Sequence, residues 1–154
     1  MKKITLIIAI TLFAQSAFSQ VVGLRGGASL IDGSNFFGPG ATFQYGINEN
    51  IVVGLNLDYH LGESSSSLLN VEPRVDYYIK SAFDGLHVGS NFSYLRTSFG
   101  SASVGEFALG GSLGYSHPIN DNLIIDLSSG GAYLMDSKVL AIRPTLTLAY
   151  KIGK

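Results

Sequence analysis

The sequence predicts an all-β fold: an eight-stranded antiparallel, up-and-down transmembrane β-barrel. Three observations predict it. From Val22 onward, apolar and polar side chains alternate with period two, the spacing of strands with two unlike faces, and no period of 3.6 competes. Seven of the eight tyrosines fall on the apolar face, close to one end or the other of successive segments. The charged side chains fall on the opposite face or in turns.

The first element lies outside this pattern. Lys2 and Lys3, the apolar run Ile4 to Phe13, and the small residues around Ala17-Phe18-Ser19 read as residues 1–19 of a cleaved secretory signal peptide, with cleavage before Gln20. The run is about half the length a bilayer-spanning helix needs. Residues 20–154 then form one barrel domain. No later stretch is apolar enough for a helical span. There is no cysteine, so disulfides, thiolate metal sites and lipid attachment at a leader cysteine are excluded. With ten basic and eleven acidic side chains, two of the basic ones in the leader, the exported chain is weakly acidic and unsuited to nucleic acid. Charged residues make up 14 % of the sequence, against about a quarter in a typical soluble domain.

The predicted strands run over 22–30, 37–47, 51–61, 68–80, 86–95, 105–117, 123–134 and 139–153. Short turns are expected at 48–50, 81–85 and 118–122, and the opposite connections at 32–36, 62–67, 96–104 and 136–138. An even strand number puts both termini on the side of the first set, the periplasmic side for a chain inserted from the periplasm. Segments 45–53 (YGINENIVV) and 115–125 (YSHPINDNLII) repeat an Asn-acid-Asn turn, whose side chains bond to local backbone.

The third and fourth strands show the two faces most clearly. Ile51, Val53, Leu55, Leu57, Tyr59 and Leu61 alternate with Val52, Gly54, Asn56, Asp58 and His60. Leu69, Val71, Pro73, Val75 and Tyr77 alternate with Asn70, Glu72, Arg74, Asp76, Tyr78 and Lys80. The polar face as a whole carries Arg25, Asp58, Glu72, Arg74, Asp76, Lys80, Glu106, Asp126, Arg143 and Lys151, equal numbers of each sign. Tyr45, Tyr77, Tyr115 and Tyr150 form one belt on the apolar face; Tyr59, Tyr94 and Tyr133 form the other. A tyrosine ring favours the boundary between hydrocarbon and water, so two belts flanking an apolar band mark a lipid-facing exterior. A soluble barrel with the faces reversed is disfavoured by volume. Eight strands enclose little more than their own side chains, and here the bulk is on the apolar face while Gly54, Gly89, Gly110, Gly114 and Gly130 thin the polar one. Pro73 and Pro144 fall inside strands, where each removes a ladder hydrogen bond and a bulge or local irregularity is expected.

On these features the chain resembles small outer-membrane barrels of the OmpA/OmpX type. Its SAFSQ cleavage region and INEN/INDN turns resemble outer-membrane barrels of Bacteroidota. The resemblance implies a monomer in the outer membrane of a Gram-negative cell, in contact with outer-membrane lipid and lipopolysaccharide and inserted by the outer-membrane assembly machinery. With the last predicted strand reaching residue 153, no peptidoglycan-binding domain is expected and an OmpA-like wall tether is not implied. The outer connections are short, unlike those of adhesins that act through long loops.

The enclosed charges suggest either an ion path or a salt-bridge plug, and sign balance in a narrow barrel favours the plug. Arg74, flanked by Glu72 and Asp76, is the expected hub. His60, His87 and His117 are too dispersed for a metal centre, and no cofactor is expected. Asp58, His60, Glu63 and Ser64 to Ser67 share one height, the only arrangement that suggests an acyl-transfer or deacylase site like those of lipid A-modifying barrels. They lack nucleophile–base–orienter spacing. The connection from Arg96 to Val104 is the longest outer one and presents Phe99 to water; it either contacts a partner or folds over the barrel mouth, and the second is favoured because single exposed aromatics are common. The expected role is therefore non-enzymatic: envelope-stabilising or surface-interacting, with a narrow porin-like channel as the alternative.

Overall fold

The computed structural model describes residues 20–152; the leader reading of 1–19 lies outside them. Eight strands close into one antiparallel barrel in sequence order: β1 (Gln20–Ile31), β2 (Ser34–Gly46), β3 (Ile51–Gly62), β4 (Ser66–Tyr78), β5 (Gly85–Phe99), β6 (Ala102–Pro118), β7 (Leu123–Leu134) and β8 (Leu140–Ile152). Closure is made by β1 against β8, with Gln20 opposite Ile152. Both ends of the described chain therefore lie at the same end of the barrel as the β2–β3, β4–β5 and β6–β7 turns. That end is called the turn end below, and the other the loop end.

Alternation becomes geometry directly. Along β4, Leu68, Asn70, Glu72, Arg74, Asp76 and Tyr78 are buried inside, while Leu69, Val75 and Tyr77 are exposed outside. The exterior is apolar on every strand, with Leu24, Phe43, Leu57, Val88, Leu109, Leu127 and Leu148 all exposed. Tyr59, Tyr77, Tyr115, Tyr133 and Tyr150 are each about half exposed on that surface, Tyr45 lies half-buried, and Tyr94 leans on Phe107 with ring centres 5.3 Å apart. The eighth tyrosine, Tyr78, points inward and is buried.

The Asn-acid-Asn turns are one device used twice. Asn48 Oδ1 accepts from the backbone N–H groups of Asn50 and Ile51, and Asn120 Oδ1 does the same for Asn122 and Leu123. Each second asparagine then clasps the end of a neighbouring strand: Asn50 Nδ2 donates to Tyr78 O, and Asn122 Nδ2 to Lys151 O.

One expectation changes and another narrows. The segment 96–104 is not a loop: β5 and β6 stay paired up to Phe99 opposite Ala102, joined by a two-residue turn with Gly100 at φ 59°. Ser- and Gly-rich composition resembles a loop, but beyond an apolar surface a hairpin needs no alternation. Of the bulge or local irregularity expected at the in-strand prolines, the irregularity is what forms. Pro73 pairs with Leu55 on β3, but the ladder to β5 lacks its rung and the adjacent one, and resumes in unchanged register. Pro144 interrupts β8–β1 in the same way, and Pro39, not singled out from sequence, interrupts β2–β3. A missing N–H removes a rung without inserting a residue.

Candidate functional site

The enclosed polar side chains form a slab across the middle of the barrel. Two ion pairs bridge separate strands: Arg25 Nε lies 3.0 Å from Asp58 Oδ1, and Arg143 Nη1 lies 2.7 Å from Glu72 Oε2. A third joins neighbours on one strand face, Arg74 Nη2 to Asp76 Oδ1 at 2.5 Å. Every remaining oxygen of the two bridging carboxylates has a donor: Asn70 Nδ2 reaches Asp58 Oδ2 and Asn56 Nδ2 reaches Glu72 Oε1. Towards the turn end, His87 Nε2 and Ser116 Oγ both lie 2.7 Å from Asp126 Oδ2, and Tyr78 stacks on His87 with ring centres 4.7 Å apart.

Glycine makes this packing possible. A Cβ at Gly40 would collide with Asp58 Oδ1, and one at Gly89 with Asp76 Oδ1. Such packing leaves a central cavity of about 20 Å³ between Arg25, Glu72, Arg74 and Arg143, room for about one water molecule.

Apolar residues close the slab at both ends, and the sequence reading missed them. At the loop end Phe36, Leu68, Leu95, Ala108, Ala132, Leu134 and Ala141 form one cluster. At the turn end Val21, Val52, Tyr78, Phe83, Ile124 and Ala149 form another. Phe83 comes from the β4–β5 turn, at φ 67°, and packs its ring against Tyr78 with centres 5.9 Å apart. The signal was present in pairs such as Leu68-Leu69, where inner and outer faces are both apolar and the alternation disappears.

Of the charges assigned to the enclosed face, Arg25, Asp58, Glu72, Arg74, Asp76, Asp126 and Arg143 converge in the slab. Three do not. Lys80 lies past the end of β4, with its side chain 72 % exposed, and pairs with Asp84. That hydrogen bond and the carboxylate charge raise the Lys80 ammonium above the ordinary lysine range. Its assignment extended the alternation into a turn. Glu106 sits at the loop-end rim and accepts from Ser137 N and Oγ at 3.2 and 3.0 Å. Lys151 is half-buried at the turn end, its backbone N–H donating to Asn122 O. Arg74, the expected hub, joins Asp76 to Ser112 on β6, and Arg143 branches further, reaching Glu72, Ser93 and Asn91 from β8.

The candidate acyl-transfer residues do not assemble. Asp58 is engaged by Arg25, Ser66 Oγ donates to Glu63 O, and His60 Nδ1 meets Ser29 Oγ at 3.1 Å beneath the loop-end cluster. Among the described residues no group of histidine and carboxylate side chains is arranged to hold a metal ion.

No family model and no curated protein matches this chain. Solved structures do match its fold. Neisserial surface protein A superposes with TM-score 0.69 at 14 % identity, covering 89 % of this chain and 98 % of that one. The N-terminal β-barrel domain of Pseudomonas aeruginosa OprF gives 0.68 at 12 % identity, covering 87 % and 97 %. Ail, the attachment invasion locus protein of Yersinia pestis, gives 0.55 at 16 % identity, covering 88 % and 97 %. The shared feature is the closed eight-stranded barrel.

Proposed function

We propose that this chain is a monomeric integral barrel of a Gram-negative outer membrane, acting as a non-conducting structural and surface-interaction protein rather than as a pore or an enzyme. The reading starts from the fold shared with outer-membrane barrels. It is carried by one observation: an ion-paired slab sealed between two apolar clusters, with about 20 Å³ of free space at the centre. Ions have no water-lined route through such an interior, and a buried Ser29–His60 contact gives substrate no access. The apolar exterior between tyrosine levels supports burial in lipid, with the turn end facing the periplasm and the loop end facing outward. Outer-leaflet lipopolysaccharide and phospholipid are then its immediate surroundings, and the assembly machinery its partner during insertion. With the interior filled, recognition is left to the loop end.

The test is conductance of the purified protein in planar bilayers. A flat baseline is expected across applied potentials, and steady ohmic steps that scale with protein added would overturn the plugged reading. Incubation with lipid A and phospholipid is expected to release or transfer no acyl chain; turnover in that assay would overturn the non-enzymatic one.

A further inference from the structure

The loop end is uneven, and its unevenness leaves a strand edge open beside a pocket. On one side, β6 pairs with β5 throughout Ala102 to Ser116. On the other side its ladder with β7 begins only at Ala108 opposite Leu134. Met135 N donates to Phe107 O at 2.9 Å, and beyond that Ala102 to Glu106 have no ladder partner on the β7 side among the described residues. Because Phe107 turns its carbonyl to that side, strand alternation turns the N–H and C=O of Gly105 and Ser103 the same way. Open edges are ordinarily guarded by lysine, proline or a bulge. The run Ala102-Ser103-Val104-Gly105 has none of these; the charges beside it are Arg96, whose Nη2 donates to Ser103 Oγ at 3.1 Å, and Glu106, the next residue along.

A pocket of about 300 Å³ lies against the inner face of this edge. Phe36 and Leu134, from the loop-end cluster, are among its lining, and Phe99 and Val104 of the β5–β6 hairpin line it as well. Phe99, expected to face water on a segment at the barrel mouth, is 55 % exposed and lines this space. Two carboxylates, Asp32 and Glu106, also line the pocket, and no basic residue does; Glu106 Oε2 is held by Ser137 N and Oγ, while Asp32 is exposed. A strand added to β6 would run above the end of β7, where its alternate side chains meet Leu134 and the pocket.

We propose that this edge and pocket form one binding site for an extended, basic peptide segment, held by backbone pairing to Ser103 and Gly105. An aromatic or aliphatic side chain of the segment fills the pocket, and a lysine or arginine approaches Asp32 and Glu106. Edge pairing supplies affinity and the pocket supplies selectivity, as in other strand-addition sites. The inference rests on the surface-interaction reading above and names its partner class.

The test uses the full exported chain folded in phospholipid nanodiscs. The probe is a short synthetic peptide alternating lysine with valine around a single tryptophan. This protein has no tryptophan, so the emission belongs to the peptide alone. Saturable binding with a blue shift is expected. Methylating the peptide's edge-facing backbone nitrogens should weaken it about tenfold or more, since each removes a hydrogen bond. Ser103→Pro should do the same, because that N–H is not used by β5, whereas Ser103→Ala, which loses only the Oγ contact with Arg96, should bind as the parent does; Asp32→Asn should weaken binding several-fold. Equal affinity for the N-methylated peptide, or for tryptamine in place of the peptide, would overturn strand addition. No saturable binding by a protein that is folded and silent in planar bilayers would overturn the site while leaving the plugged barrel intact. Steady conductance would strike the underlying reading instead.

Discussion

Arg143→Ala tests the slab directly. The guanidinium is buried, lies 2.7 Å from Glu72 Oε2, and donates to Ser93 Oγ at 3.2 Å and Asn91 Oδ1 at 3.1 Å. Its removal leaves the Glu72 carboxylate hydrogen-bonded only by the neutral donors Asn56 and Ser93, with Arg25 and Arg74 beside the central cavity as the remaining positive charges. Breaking a buried pair by deleting one partner costs about 3–5 kcal/mol, which is roughly two to four decades in the folded-to-unfolded ratio. The measurement is urea unfolding of the barrel in lipid vesicles, followed by circular dichroism and by the gel mobility shift between folded and unfolded forms. The double variant Arg143→Met with Glu72→Gln removes both charges at similar volume and should recover most of the loss. A single variant within about 1 kcal/mol of the parent would refute the reasoning. So would a double variant as unstable as the single one, because the damage would then come from lost packing rather than an orphaned charge.

Further predictions follow the same structure. Leu113→Arg, on the apolar exterior, should cost about 2–4 kcal/mol in vesicle unfolding, whereas Ser101→Arg at the hairpin tip should cost almost nothing; equal losses would contradict the assigned faces. Asn48→Ala and Asn120→Ala each remove two hydrogen bonds of the same design, so each should lower stability by about 1 kcal/mol, with matched values by the same assay. Lys80→Ala should leave the neutral-pH unfolding midpoint unchanged, since its pair with Asp84 is exposed. Its pKa is raised, so any contribution is complete below the ordinary lysine range and disappears as pH climbs through the elevated value. A midpoint difference that grows with pH would reverse that sign.

The barrel was legible because its two faces are chemical opposites wherever the exterior is apolar and the interior ionic. Leu55 against Asn56, or Val75 against Asp76, leaves one solution in a closed sheet of eight strands. Legibility failed where that contrast ends. Leu68 and Leu95 close the interior with the same chemistry the outside uses, so the caps show in the sequence only as a loss of alternation. The hairpin around Gly100 lies beyond the apolar band, where serine and glycine in strands look like serine and glycine in loops. Lys80 showed the converse error, a period carried past the last paired residue of β4. The choice of Arg143 over Arg74 as branch point depends on how far a guanidinium reaches across the lumen, which strand order alone does not specify.

The three interrupted ladders have a mechanical consequence. Carbonyls of Tyr59, Phe92 and Ala28 stand opposite prolines that have no hydrogen to give, so the cylinder carries three weakened seams, at β2–β3, β4–β5 and β8–β1. Between two of them, β5 to β8 form an uninterrupted panel. Staves separate along their poorest joints, so under stress this wall should part into panels rather than dissolve strand by strand. Amide hydrogen exchange would then be slowest in the middle of β6 and β7 and fastest beside the prolines.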